Sequence, residues 1–252
     1  MNEQNQIPAG YIPAEGLLRE RVVLVTGAGQ GLGRAVALEA ARCGATVALL
    51  GRKLTKLEST YDAITAAGGA EPALIPIDLA TAANAEYESL AQLVRKDLGR
   101  LDAVVHCAAH FVPLGPLAGQ TLDQWNTLLK VNLTAPFALT RACLPLLQAA
   151  PGSSVVFVGE THGAQPLAYW GGFAVAKSAL STLASIWAQE LERKGKPRMN
   201  VFVPGPIASP QRMQSHPGEE HARLRAAESA ASALLYLLDP ASAHFNGRTV
   251  AL

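Results

Sequence analysis

The run RVVLVT (21–26) passes without a spacer into TGAGQGLG (26–33) and then into GLGRAVALEAARCG (31–44). An apolar, β-branched run closed by glycine reads as a buried strand. The glycines allow a turn tighter than side chains tolerate. Beyond it, Leu32, Val36, Ala37 and Ala40 recur at spacings of three and four and share one helix face, and Gly44 stops that helix. A strand, a glycine turn and a helix in immediate succession open a β-α-β unit, which constrains the rest of the chain more than any other feature.

The same alternation continues. Further strands are expected at 46–50, 73–77, 101–107, 154–158, 198–203 and 248–252, with helices at 53–67, 86–98, 122–131, 134–148, 170–194 and 220–238. Strands that are apolar throughout must be covered on both faces. The expected fold is α/β, a three-layer doubly wound Rossmann fold with a seven-stranded parallel sheet. With 49% hydrophobic residues, such a core can be filled. No repeat or low-complexity linker divides the chain, so residues 19–252 read as a single domain. Residues 1–18 read as a polar, proline-broken extension that meets the body at Leu17 and Leu18.

A formal net charge of +1 without charge blocks argues against nucleic acid or an anionic membrane as the main partner. No stretch is long and charge-free enough for a membrane span. The N-terminus has no basic start followed by an apolar run, so it does not read as a secretion signal. Cys43, Cys107 and Cys143 are far apart, and no metal-ligand spacing links them to the histidines. Reduced, packed thiols in a cytoplasmic protein are expected.

A glycine turn at a helix start brings backbone N–H groups and the positive helix end up to a phosphate. Thr26, Gly27, Gln30, Gly31, Leu32 and Gly33 are therefore candidate contacts for a dinucleotide pyrophosphate. At the end of the second strand, LLGRK (49–53) places Gly51 where an NAD-binding chain usually carries a carboxylate for the ribose 2′-hydroxyl. Glycine cannot repel a 2′-phosphate, and Arg52 can grip one with paired donors. NADP(H) is expected over NAD(H).

The spacing Gly27-x-x-x-Gly31-x-Gly33, together with several later segments, resembles the short-chain dehydrogenases/reductases over nearly the whole chain. The resemblance implies Asp78 and Leu79 in PIDL beside the adenine. It places LDAVVHCAA (101–109) where the family has a strand ending in Asn-Asn-Ala-Gly, which here reads His106, Cys107, Ala108 and Ala109. Ala108 is a candidate cofactor contact. Asn132 matches a structural and catalytic asparagine. VPGPIAS (203–209) matches a loop that holds the nicotinamide carboxamide, through Pro204, Gly205 and Ile207, with Ser209 in place of its threonine. LLRERVVLVTGAGQGLG and GATVALLGRKLTKL are similar to a bacterial subgroup of oxidoreductases within the family.

The resemblance also exposes departures. The family reduces carbonyls with a tyrosine as proton donor, a lysine four residues later and a serine thirteen residues before the tyrosine. Lys177 is present, but the tyrosine position holds Phe173 and the serine position Glu160. Three replacement donors are considered. Tyr169, one helical turn before Phe173, either leans toward the site or forms a wall of the substrate pocket. Glu160 is either an acid kept protonated by burial or one half of an ion pair with Lys177 that disables the site. His162 lies near the place where dienoyl-CoA reductases, a related branch without the usual tyrosine, carry another tyrosine; it is either a donor or a bystander.

The sequence thus reads as an NADP(H)-dependent oxidoreductase with a non-standard proton donor, acting on a small carbonyl or enoyl compound. The alternative is a catalytically inactive, nucleotide-binding protein that works by assembly or sensing. The resemblance further implies a homodimer or homotetramer through the helices at 134–148 and 170–194, with Ala174, Ala179 and Ala184 small enough for close approach. A polar, mobile lid is expected at 211–225.

Overall fold

In a computed structural model, which describes residues 6–192 and 197–252, seven parallel strands form one sheet. They are β1 (Val22–Thr26), β2 (Thr46–Gly51), β3 (Ala73–Pro76), β4 (Ala103–His106), β5 (Ser154–Val158), β6 (Arg198–Val203) and β7 (Thr249–Ala251), in the order β3-β2-β1-β4-β5-β6-β7. The direction of winding reverses between β1 and β4, whose last residues Thr26 and His106 pair side by side. A crevice opens beyond the carboxyl ends of the strands at such a reversal.

Successive residues of β1 serve opposite faces. Val23 and Val25 join the core formed with helices α1 (Gly31–Arg42), α2 (Leu54–Ala66) and α9 (Ala227–Leu235). Val22 and Leu24 join the core formed with α3 (Asn84–Leu98), α5 (Ala135–Ala149) and α7 (Gly171–Leu191). Every residue of β1 is buried, which is why the strand shows no polar alternation. The expected fold class is therefore found.

Several expected boundaries change. Helix α4 (Leu122–Leu129) does not end before α5, because a π-helical turn, Lys130–Thr134, joins them. Residues 220–226 are not α-helical. A 3-10 turn at His221–Arg223 is followed by a bridge between Arg225 and Ile207, and α9 starts only at Ala227. The alanine-rich helix expected over 220–238 is thus shorter than its composition suggests, running from Ala227 to Leu235 and ending in a 3-10 turn at Tyr236–Leu238. Helix α7 begins at Gly171, and residues 193 and 194 of its expected span lie outside the described residues.

The N-terminal extension also meets the body well before Leu17. The Tyr11 hydroxyl donates to Asp239 Oδ2 at 2.6 Å, its ring packs edge-on against Tyr236, and Ile7 packs on the core. Leu18 is 1% exposed. Among the described residues, no helix is long and apolar enough to cross a membrane.

Candidate functional site

A cleft of about 360 Å³ runs across the reversal point, from the glycine loop to Lys177. Its first end is made by backbone. Gly27 has φ +68 and Gly31 φ +54, values that favour glycine. A Cβ at Gly33 would lie 2.3 Å from the Gly27 carbonyl oxygen, so the helix can start this close to the strand only with glycine there. Gln30, the N-cap of α1, makes no side-chain cap bond, so the first N–H groups of a twelve-residue helix are left for a ligand. Thr26 stands behind this loop rather than in the cleft. Its Oγ1 accepts from the Ala108 N–H at 3.0 Å and ties β1 to the segment after β4.

Beside the loop, Arg52, Lys53 and Lys56 line the same end of the cleft. Arg52 Nη1 is 3.9 Å from Asp78 Oδ2, and Asp78 Oδ1 accepts from the Ala80 N–H at 3.0 Å. Lys56 Nζ donates to Gln30 Oε1. Lys56 was missed in the sequence; its signal was the four-residue spacing from Arg52 at the start of a helix. An uncapped helix start ringed by three cations fits a phosphate-bearing ligand. Gln30, Gly31, Leu32, Leu79, Ala108, Pro204, Gly205 and Ile207, candidate cofactor contacts, all line the cleft.

Asn132 lies in the π-helical turn and is 1% exposed. Its Oδ1 accepts from the His110 N–H at 3.1 Å, and its Nδ2 donates to the carbonyls of His110 at 2.8 Å and Leu128 at 2.9 Å. The turn spoils regular helical bonding, and the side chain takes up the released carbonyl. Asn132 thereby fixes the loop after β4, which forms the floor of the cleft. His106, beneath that floor, is a core residue. Its Nε2 is 2.8 Å from Thr140 Oγ1 and its ring stacks on Phe157. Burial, and secondarily Lys177, push its pKa down to about 3, so it is neutral.

At the other end Lys177 is buried, and its Nζ donates to the Val158 carbonyl at 2.7 Å. Burial pushes its pKa down to about 8, against the opposing pull of Glu160 and Cys107. Glu160 lines the cleft but forms no ion pair with Lys177 within 4.0 Å among the described residues. Its Oε1 instead accepts from the Thr161 N–H at 3.0 Å, capping the short helix α6 (Thr161–Ala164), and its Oε2 accepts from Gln211 Nε2 at 3.5 Å. Of the two alternatives for Glu160, the ion pair with Lys177 is thus not formed, because each group has a nearer partner.

Phe173 is 1% exposed and packs edge-on against Phe111 at 5.2 Å, with Trp170 at 6.1 Å. Lys177 Nζ sits 5.7 Å from the centre of its ring. Tyr169 is not one helical turn before Phe173, since α7 starts at Gly171. It has φ +76, is 60% exposed, and does not line the cleft. His162 is also outside the cleft lining. Its ring lies 4.2 Å from that of Trp170 and its Nδ1 is 3.4 Å from the Gln165 carbonyl.

The expected lid is folded. Ser209 caps helix α8 (Pro210–Ser215) by accepting from the Arg212 N–H at 3.1 Å. Arg212 makes a two-pronged pair with Glu219, at 2.5 and 2.8 Å. Gln211, Arg212 and Ser215, from the segment expected as a lid, line the cleft, and so does Trp170, which was missed because nothing in its spacing links it to the glycine loop. Ala174 and Ala184, considered for packing between copies, are buried in the core of their own chain.

Comparison with known proteins agrees with this geometry. The family model described as short chain dehydrogenase matches residues 21–220. The Escherichia coli (strain K12) oxidoreductase YciK is 34% identical over 239 residues, covering 95% of this chain and 94% of that one. A short chain dehydrogenase of Shigella flexneri, solved in complex with NADP, superposes with a TM-score of 0.91 at 33% identity, covering 94% of this chain and 99% of the other. One from Escherichia coli, complexed with NADPH, gives 0.91 and 33%, covering 95% and 99%. The family match over residues 21–220, with YciK covered almost end to end, shows that the chain belongs to the short-chain dehydrogenase family.

Proposed function

We propose that this protein is an NADP(H)-dependent oxidoreductase that transfers hydride to or from a small carbonyl- or enoyl-type substrate without the usual phenol. In this reading Phe173 stands at the family's tyrosine position and Glu160 at its serine position. The observation that carries it is the continuity of one cleft. An uncapped helix start with Arg52, Lys53 and Lys56 lies at one end, and buried Lys177 lies at the other.

The nicotinamide, when bound, supplies the hydride. Gly27, Gly31 and Gly33 shape the loop for the pyrophosphate, and Arg52, Lys53 and Lys56 receive the 2′-phosphate. Asp78 and Leu79 flank the adenine, while Pro204, Gly205 and Ile207 hold the carboxamide. Asn132 positions the floor of the cleft through His110. Lys177 holds a proton at Nζ at neutral pH with a pKa of about 8, close enough to neutrality to give it up. Glu160 is the other ionisable group at this end of the cleft with an oxygen only weakly engaged.

The relatives solved with NADP and NADPH support the choice of cofactor. Fluorescence titration with each cofactor tests it. Saturable NADPH binding, clearly tighter than that of NADH, is expected, and equal affinities would refute the preference. Turnover is tested by NADPH oxidation with carbonyl and enoyl compounds, which Lys177→Ala is expected to abolish.

One observation favours a second reading, a nucleotide-binding protein without turnover. Phe173 lines the cleft with a ring that has no hydroxyl, and both Tyr169 and His162 lie off the cleft. Cofactor binding with no oxidation of any substrate would select it. We also propose assembly of the chain with copies of itself through α5 and α7. Val175 and Ile186, 48% and 47% exposed, lie on one face of α7, and sedimentation measures the assembly directly.

A further inference from the structure

The chemical end of the cleft poses a problem for carbonyl reduction. A carbonyl becomes an alkoxide, so the site must present positive charge or a proton where the oxygen lies. Here a carboxylate, Glu160, occupies that end of the cleft. The Lys177 ammonium is bonded to the Val158 carbonyl and lies by the face of Phe173. Two aromatic side chains, Trp170 and Phe173, form the adjacent wall. A carboxylate and aromatic walls attract a cation and disfavour an oxyanion.

Arg212, Lys177 and two histidines stand near, with the His162 ring 4.2 Å from that of Trp170 outside the cleft lining. Arg212 is neutralised by its two-pronged contact with Glu219. Lys177 is held on the Val158 carbonyl and forms no ion pair with Glu160 within 4.0 Å among the described residues, so the carboxylate is not taken up by it. His216 packs beside Trp170 from outside the cleft lining, and burial, then Arg212, hold its pKa below the ordinary value.

We infer that the cleft takes a substrate whose reacting group is a cationic nitrogen, an iminium ion in one direction and its amine in the other. This rests on the oxidoreductase reading and puts nitrogen where that reading has oxygen. The chemistry then balances without the absent phenol. The iminium carbon accepts the hydride with its electron pair, the C=N π pair withdraws to nitrogen as a lone pair, and the product is a neutral amine. No proton is consumed. In the reverse direction the substrate develops positive charge as hydride leaves, and Glu160 stabilises that charge as it forms. In reduction the same carboxylate serves recognition and adds nothing to the rate of the step itself.

The test uses the intact protein and three probes of similar shape. N-methyl-dihydroisoquinolinium is a permanent iminium, N,N-dimethyl-tetrahydroisoquinolinium is an unreactive cation, and tetralone is a neutral ketone. Calorimetry is expected to show saturable binding of the unreactive cation, weakened at least about tenfold by Glu160→Gln and by Trp170→Leu, as loss of one charge or cation–π contact predicts. Because Trp170 is a core residue, Glu160→Gln is the deciding variant. With NADPH, the iminium is expected to be reduced at least about tenfold faster than tetralone. Absence of saturable cation binding, or faster reduction of tetralone, overturns the inference, and tetralone turnover leaves the oxidoreductase reading standing. Glu160-dependent binding of the cation with no turnover of either reactive probe supports the cation site and removes the oxidoreductase reading.

Discussion

The two ends of the cleft are held by different means. The nucleotide end is built from backbone, with two glycines at positive φ, a third pressed against a carbonyl and a helix start left uncapped. The chemical end is built from side chains that pack among themselves, Phe173 with Phe111 and Trp170, and Glu160 with Gln211. A backbone site rejects most substitutions on steric grounds. A side-chain site accepts new chemistry whenever the new group fills the same volume. One fold can therefore keep its nucleotide loop while the groups that act on substrate are exchanged.

The largest expected effect tests whether Phe173 and Glu160 stand at the positions where the family has its tyrosine and serine. Phe173→Tyr combined with Glu160→Ser should create or raise carbonyl reduction about a hundred- to ten-thousandfold, the range typical of a positioned general acid. Steady-state NADPH oxidation with ketones measures it, and no gain would mean that the difference between the ends runs deeper than two residues.

The second prediction concerns Lys177. Its pKa in the folded chain, about 8, lies below the ordinary 10.5. Below pH 8 both folded and unfolded chains carry the proton, and burial of the charge costs stability in full. Between pH 8 and 10.5 the unfolded chain binds more protons, so this contribution to stability rises with pH, on the order of 3 kcal/mol in all. Urea denaturation at pH 7.5 and pH 10 should show that rise in the native chain, and Lys177→Met should lack it.

Arg52→Glu should weaken NADPH binding about ten- to a hundredfold while leaving NADH nearly unaffected, as loss of a charge-assisted pair predicts. Equal losses would detach Arg52 from the 2′-phosphate. The smallest effect lies far from both ends. Tyr11→Phe removes the bond to Asp239 and should cost about 1 kcal/mol, or about 2–4 °C in Tm, with no change in cofactor affinity.

How legible each part was in the sequence follows from the same contrast. Backbone requirements leave local marks. The β1 run, the glycine spacing and the stop at Gly44 each announce a conformation, and the sheet and the nucleotide loop lie where those marks put them. Side-chain partnerships leave no such mark. Tyr169 stands four residues before Phe173, but a helix reaching it is required for the two to share a face, and its φ of +76 takes it out of α7, which starts at Gly171. The Glu160–Lys177 pair was plausible by proximity, but Thr161 N–H and the Val158 carbonyl were nearer partners, and no periodicity reveals a backbone partner. Arg212 and Trp170 reach the cleft through the path of loops, and loop paths are decided by tertiary contacts such as the Arg225 bridge.

That bridge has a consequence for how the chain can be altered. The Ala208 N–H donates to the Arg225 carbonyl at 2.9 Å, so the segment between them leaves and re-enters the domain at nearly one point. A loop whose ends are already joined is a cassette. Lengthening it costs little, only about 0.6 kcal/mol for each doubling by closure entropy. The cassette carries Ser209, Gln211, Arg212 and Ser215 into the cleft but contributes nothing to the strands of the sheet. Its replacement offers a way to graft new substrate preferences onto an unchanged nucleotide-binding body.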